Sequence, residues 1–425
     1  MTFPELDKVE VRRLDKSERV FDTWESLTIT SEFLTPCDTF RLSCGSEAAG
    51  VDLARELPVG SHVQILVNGY PQITGYVDAC EVENDWGGTR VTIEGRDALS
   101  LIVDGNVDPS LQIPKNVTIM QLCELVIKGQ YMTDFGFIPQ NDSRVLARGI
   151  KTGEKTKEWK GSRHKRTDPL KEVTPKDNEG AFSYLSRIFT HHGYWLWASV
   201  DGQYVVVAGP DYEQPPSYEL VKRYDTSGNG GTGAANNVLR SRARLDQTSV
   251  PSVVYVRGVS SSAGAKGKVV GFAQDSRVLP LKPAFIKDQN ATTQEKAERI
   301  ARSFLARQQR NFATYECTVA GFTDRVTRGI YQVDATAKVV DEVAGVDGIM
   351  WIESRTFRKD RSSGTVTDLK MIPCGTLVLD WQPGEPVPAV IDLASAHKKT
   401  GEDSPANGEF VFGNPQTVTF MKARV

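Results

Sequence analysis

The sequence predicts an α+β, mainly β fold, with two small β-barrel domains, an α/β domain between them and a C-terminal extension. Three observations predict it. Segments at 62–67, 72–77 and 90–95 alternate apolar and polar residues with period two, the pattern of strands with one buried face. From about residue 109 the apolar spacing becomes helical. Finally, the order strand, long strand, return strand in the first hundred residues recurs at 335–340, 350–357 and 365–372.

The first domain is placed at 1–108. Val9 and Val11 alternate with charged residues, Phe21-Asp22-Thr23-Trp24 opens a Thr-rich apolar segment, and Thr39-Phe40-Arg41-Leu42 is a short strand before a polar, Gly-bearing connection. His62-Val63-Gln64-Ile65-Leu66-Val67 and Gln72-Ile73-Thr74-Gly75-Tyr76-Val77 flank Asn68-Gly69, the preferred pair for a type I′ hairpin turn. A second hairpin turns at 85–88 and returns through Arg90-Val91-Thr92-Ile93-Glu94-Gly95.

The second domain is placed at 109–225. Thr118 caps a helix carrying Ile119, Leu122, Cys123, Leu125 and Val126, and a second helix after Asp177-Asn178 carries Phe182, Leu185, Ile188 and Phe189. A hairpin follows at 194–198 and 204–208, while 151–176 is a basic, aperiodic loop. The Gly-rich run near 224–235 is a linker by composition. The third domain, 226–380, has strands at 252–257, 268–272, 315–319, 335–340, 350–357 and 365–372 and one helix. Thr292 and Glu295 form its expected capping box, and Ala297, Ile300, Ala301, Phe304 and Leu305 form its apolar stripe. Residues 381–425 are the extension, ending in a short strand pair across Gly413-Asn414-Pro415.

Composition narrows the function classes. The 425 residues hold 51 Lys plus Arg against 54 Asp plus Glu, a net charge of −3, so overall charge gives no reason to expect a dedicated nucleic-acid binder. No run approaches the length of a membrane span, and the N-terminus lacks the basic start and apolar core of a signal peptide. Six scattered cysteines without a C-x-x-C pair read as reduced thiols, neither a zinc site nor a disulfide framework.

No catalytic motif is present: there is no G-x-S-x-G, H-E-x-x-H or Walker loop. His191-His192 before Gly193 reads as a cationic helix C-terminus rather than a metal or base site. Glu94, Asp104 and Asp108 are the carboxylates a glycoside hydrolase would need, with nothing to single them out among 54. No residue is assigned to catalysis, to a metal or to a cofactor.

The arrangement resembles the baseplate hub proteins of contractile phage tails of the Mu-like type. The resemblance rests on Gly75-Tyr76-Val77, on Glu94-Gly95-Arg96-Asp97 leading into Ile102-Val103-Asp104, and on the helix at 292–310 followed by Tyr315-Glu316-Cys317-Thr318-Val319-Ala320-Gly321. It continues through Trp351-Ile352, Phe357, Asp360, Gly364-Thr365, Thr367, Leu369, Met371 and Pro373, and so spans about 1–380. It implies tail-tube-like barrels in a non-enzymatic virion structural protein of the tail baseplate, assembled in the host cytoplasm. Three chains would form a homotrimeric ring presenting six barrels to a hexameric tail tube and holding a trimeric central spike made as a separate polypeptide. The expected partners are the tube, spike and tape-measure proteins and other baseplate proteins, with DNA only as cargo in the channel.

On this reading the strands at 63–67 and 350–357 carry the neighbour contacts, through Val63, Ile65, Val67, Trp351 and Phe357. Trp195 and Trp197 share one face of their hairpin and read equally as interface anchors or as core. Phe410 and Phe412 would add a strand to a neighbour's sheet, and Lys155, Lys157 and Arg163 would form a docking patch in the basic loop. The alternatives are a hub of a non-phage injection or secretion particle, a tail-associated cell-wall hydrolase, and nucleic-acid binding through the basic loop.

Overall fold

The computed structural model describes residues 7–14, 20–21, 24–45, 47–86, 88–131, 136–138, 170, 173–191, 194–212, 214–223, 236–259, 268–275, 281–288, 291, 293–360, 364–374 and 389–391. Strands dominate and helices are few, as expected for an α+β, mainly β chain. The first unit contains β1 (Val9–Arg13), β2 (Val20–Phe21), β3 (Ser26–Glu32), β4 (Thr39–Cys44), α1 (Glu47–Glu56), β5 (His62–Val67), β6 (Tyr70–Asp85) and β7 (Gly88–Asp97). Asn68 and Gly69 both adopt positive φ, 53° and 83°, as the type I′ turn between β5 and β6 requires.

A helical layer follows: α2 (Ser100–Val103), α3 (Ile119–Tyr131), β8 (Gly136–Ile138), α4 (Ala181–His191), β9 (Trp195–Ala198) and β10 (Tyr204–Ala208). Its sheet runs β8-β10-β9, parallel at β8 and antiparallel at β9. Thr118 Oγ1 accepts the Gln121 N–H at 3.3 Å while the Gln121 side chain accepts the Thr118 N–H at 3.0 Å, so α3 opens with a reciprocal capping box. Leu122, Val126, Leu185 and Phe189 fill the core beneath.

The rest comprises β11 (Tyr218–Lys222), β12 (Val238–Leu245), β13 (Val253–Val259), β14 (Lys268–Gln274), β15 (Pro283–Lys287), α5 (Gln294–Gln309), β16 (Ala313–Ala320), β17 (Thr336–Asp341), β18 (Val346–Asp360), β19 (Gly364–Pro373) and β20 (Ala389–Ile391). These residues form two structures rather than a single barrel with a helix. Strands β14-β13-β15 are a separate sheet covered by α5, whereas β12-β16-β19-β18-β17-β11 curl into a second barrel. That barrel draws β11 from before residue 226 and nearly closes at Asn237, which hydrogen-bonds Val221 in both directions at 3.1 and 2.8 Å.

The sequence repeat is real in the backbone. β5-β6-β7 and β17-β18-β19 share the order short strand, long strand, ten-residue return, and each long strand carries a bulge against its return strand, at Asp78 and at Glu353. A bulge bends its strand and raises its twist, which lets one strand serve two surfaces. In β18 the first half pairs with β17, and the second half pairs with β3 of the first barrel. The two barrels are therefore hydrogen-bonded into one sheet.

Candidate assembly surface

Eight strands run without a break, in the order β12-β16-β19-β18-β3-β4-β7-β6, and every junction is antiparallel. Directly opposed residues share a face, so the register traces two surfaces. One row reads Val238, Val319, Thr367, Phe357, Ile29, Phe40, Gly95 and Val77, all buried. A neighbouring row on the opposite face reads Arg240, Thr318, Asp368, Thr356, Thr30, Thr39, Arg96 and Tyr76. That face is polar across both barrels and is laced by ion pairs, among them Arg358–Asp368 at 2.7 Å and Arg41–Glu94 at 3.3 Å.

The predicted contact residues do not lie on this outer face. Val63, Ile65, Val67, Trp351 and Phe357 are each at most 1% exposed and pack inside the chain, which corrects the expectation that they meet a neighbour. Their strong apolar character, the feature that marked them, is what places them in the core. Trp197 is likewise buried, and Trp195 half-buried. Phe33 joins them, its ring 5.8 Å from Trp195, 5.1 Å from Trp197 and 5.0 Å from Trp351. Of the two readings open for this tryptophan pair, the structure takes core packing: the pair fastens the α/β layer to the second barrel. Lys155, Lys157, Arg163, Phe410 and Phe412 lie outside the described residues.

Buried polar groups serve the same joining task. Arg355, 1% exposed, donates to Gln72 Oε1 at 2.9 Å, the Tyr331 carbonyl at 2.7 Å and Ser31 Oγ at 2.9 Å, linking β18 to β6 and β3. Its guanidinium also sits 4.1 Å from the Phe357 ring centre. At the β18 bulge the buried Glu353 carboxylate lies 3.1 Å from Arg310 at the end of α5 and 2.9 Å from Lys370 of β19. The corresponding bulge residue Asp78 pairs with Arg96 of β7 at 2.7 Å.

The carboxylates weighed for hydrolysis are engaged elsewhere. Asp104 accepts from Arg96, whose hydrogen bonds hold its carboxyl below the usual carboxylate range, and Asp108 is lowered by its hydrogen bonds from Ser110. A general acid needs the opposite shift. Among the described residues no group of three or more His, Cys, Asp or Glu is placed to hold a metal ion, and no helix is long and apolar enough to cross a membrane.

Comparison with known proteins agrees with the resemblance read from sequence. Residues 14–97 match the family model of the Mu phage baseplate assembly protein GpP-like, N-terminal. A tail protein from Neisseria meningitidis MC58 superposes with TM-score 0.69 at 20% identity, over 89% of this chain and all of that one. The 43 kDa tail protein of prophage MuSo2 from Shewanella oneidensis gives TM-score 0.68 at 20% identity, over 86% and 98% of the two chains. A prophage tail protein from Listeria monocytogenes gives 0.53 at 11% identity, over 85% and 93%. No curated protein sequence matches the chain. Residues 14–97 are thus similar to the N-terminal domain of that Mu baseplate family, and nearly nine-tenths of the chain shares the fold of these phage tail proteins.

Proposed function

We propose that the chain is a structural baseplate hub of a phage tail, a homotrimeric ring that joins the hexameric tail tube to a central spike and forms the end of the tail channel. The observation that carries this reading is the unbroken eight-stranded sheet with one largely polar face across two similar barrels. Eight is an even number, so the end strands β12 and β6 run in opposite directions. Copies related by rotation about an axis along the sheet then meet antiparallel, like every other junction. Three copies give 24 strands, which at about 4.8 Å apart enclose a backbone ring roughly 37 Å across. Its lining would be the Thr- and ion-pair-rich face, a surface suited to passing a polyanion without holding it.

The repeat explains the symmetry. One chain supplies two similar barrels, so a threefold ring offers six similar faces to a sixfold tube and keeps threefold order for a spike. The role is mechanical, and the carboxylates tied to arginines assign it no chemistry.

The test is the native mass of the purified chain, alone and co-expressed with a candidate spike protein. A mass three times the 46.9 kDa chain in either condition supports the hub. Monomer or dimer in both overturns it, and clearing of a peptidoglycan suspension by the pure protein would turn the reading to a hydrolase.

A further inference from the structure

The ring reading brings the end strands of neighbouring chains together but leaves open what makes them pair, and the two ends of the long sheet supply an answer that rests on it. At one end, β6 beyond its bulge, residues 79–85, pairs only with β7. At the other, β12 pairs only with β16. Among the described residues no strand forms a backbone ladder with either outer edge; β11 reaches β12 only at Asn237, just before the strand, and through Lys222 Nζ on Ser241 Oγ at 3.0 Å. Bare edges of this kind are templates for pairing with another chain.

The two edges complement each other in length, charge and facing. Residues 79–85 and 239–245 are seven each, about 23 Å of strand. Register puts Ala79 opposite Glu94, so Glu81, Glu83 and Asp85 lie on the polar face of the sheet. Register also puts Arg240, Arg242 and Arg244 opposite Thr318, Glu316 and Thr314, on that same face. On the other face β6 offers Cys80 and Val82, the latter 53% exposed, and β12 offers Ser241, Ala243 and Leu245. Within its own chain Arg242 is 4.0 Å from Glu316, and Arg244 pairs with Asp246, both at exposed positions.

We infer that the acidic edge at residues 79–85 of one chain adds antiparallel to the basic edge at residues 239–245 of a second copy of this chain, three times around the ring. Glutamates and arginines then become cross-strand neighbours on the channel face, the pairing that stabilises antiparallel strands, while Val82 gains apolar cover beneath. Like charges meeting at an edge repel, so β6 cannot pair with β6 nor β12 with β12. The charges thus select the head-to-tail contact that a ring needs over a twofold dimer.

The experiment is charge reversal on the full chain, read by native mass, with circular dichroism confirming the fold. Glu81→Lys with Glu83→Lys, or Arg240→Glu with Arg242→Glu, should each convert the wild-type trimer to monomer. Both pairs in one chain should restore the trimer, because every edge again meets its opposite. A restored trimer also answers the objection that a single pair simply misfolded. Cysteine pairing checks the contact directly. Cys80 is the only cysteine not buried, and one of Ser241→Cys, Ala243→Cys or Leu245→Cys should give oxidative dimers and trimers that vanish with Cys80→Ser. A wild-type trimer indifferent to both reversals and giving no cross-link overturns the edge assignment and leaves the hub intact. A wild-type chain that stays monomeric with and without the spike candidate overturns the hub and the edge contact together.

Discussion

A β-carbon on Gly95 would lie 2.2 Å from the Tyr76 carbonyl oxygen and 2.4 Å from the Phe40 ring, and one on Gly75 would lie 1.9 Å from the Arg96 carbonyl. Both glycines sit where β6 and β7 cross most closely, which is the physical content of two motifs that carried the family resemblance. Gly95→Ala should cost about 3 kcal/mol, the upper end of overpacking, because backbone rather than a yielding side chain blocks the way. A lowered urea midpoint at unchanged slope would show it, and an unshifted midpoint would refute the close crossing. Glu353 makes a different claim. Glu353→Gln keeps the shape but leaves Arg310 and Lys370 facing each other without their anion. The expected loss is about 2 kcal/mol, less than for a wholly buried pair because both cations stay partly exposed. His62 carries the pH dependence. It stacks on Tyr76 at 4.8 Å, and burial lowers its pKa below the ordinary 6.5, so the folded chain keeps it neutral while the unfolded chain protonates. The unfolded state then binds more protons, and stability is full above about pH 6.5 and declines as pH falls below it. Thermal melts of His62→Gln should show a shallower decline across that range than wild type.

At the scale of elements, α5 lies on its sheet through an absence of side chains. A β-carbon on Gly271 would come within 2.1 Å of the Ala297 backbone, and Ala297, Ala301, Leu305 and Ala306 are all at most 1% exposed. Gly271→Ala should lift the helix, so amide exchange should speed in 294–309 while β16 to β19 keep their protection. Equal protection in both would mean the helix is not seated this way. The stripe on α5 was legible in sequence because its apolar spacing is clean, although the N-cap is Thr293, one residue after the expected Thr292. The turn at Asn68-Gly69 and the cap at Thr118 were legible for the same local reason. Other elements were hidden. α1 and the residue after it bury Leu53 and Leu57 on a polar sequence that reads as a connection. β15 pairs parallel with β13, and such a partner leaves no hairpin signal. Beyond Val238, β12 faces the core with only Ser241, Ala243 and Leu245, too small a contrast to read as a strand. The residues read as contacts lie inside the chain because apolar alternation marks a core. The edge contact we infer rests instead on charge alternation, Glu81-Val82-Glu83 against Arg240-Ser241-Arg242-Ala243-Arg244.

At the scale of the molecule, two barrels could be independent domains on a tether or halves of one body, and the structure decides for one body. Register from Leu27 to Glu32 of β3 is continuous with Lys359 to Ser354 of β18, the single strand-to-strand junction between the barrels among the described residues. Arg355 bridges beneath it to Gln72 and Ser31, and a single apolar core runs from Val11 and Ile65 through Phe357 to Met371. On the hub function we propose, a ring transmitting the pull of a departing spike would gain from this, since a hinge between barrels would open the wall without moving the tube. The consequence is cooperative unfolding: the two barrels should melt together, with tryptophan fluorescence and far-UV circular dichroism giving coincident transitions. Thr30→Pro is the sharper probe, because Thr30 lies mid-register between Thr39 and Thr356 and proline removes a backbone donor and cannot sit in a central strand. If the junction carries the coupling, this substitution should split one transition into two before it abolishes folding of either barrel. Two transitions already present in the wild type would instead mean that the junction is ornamental and that the barrels act separately.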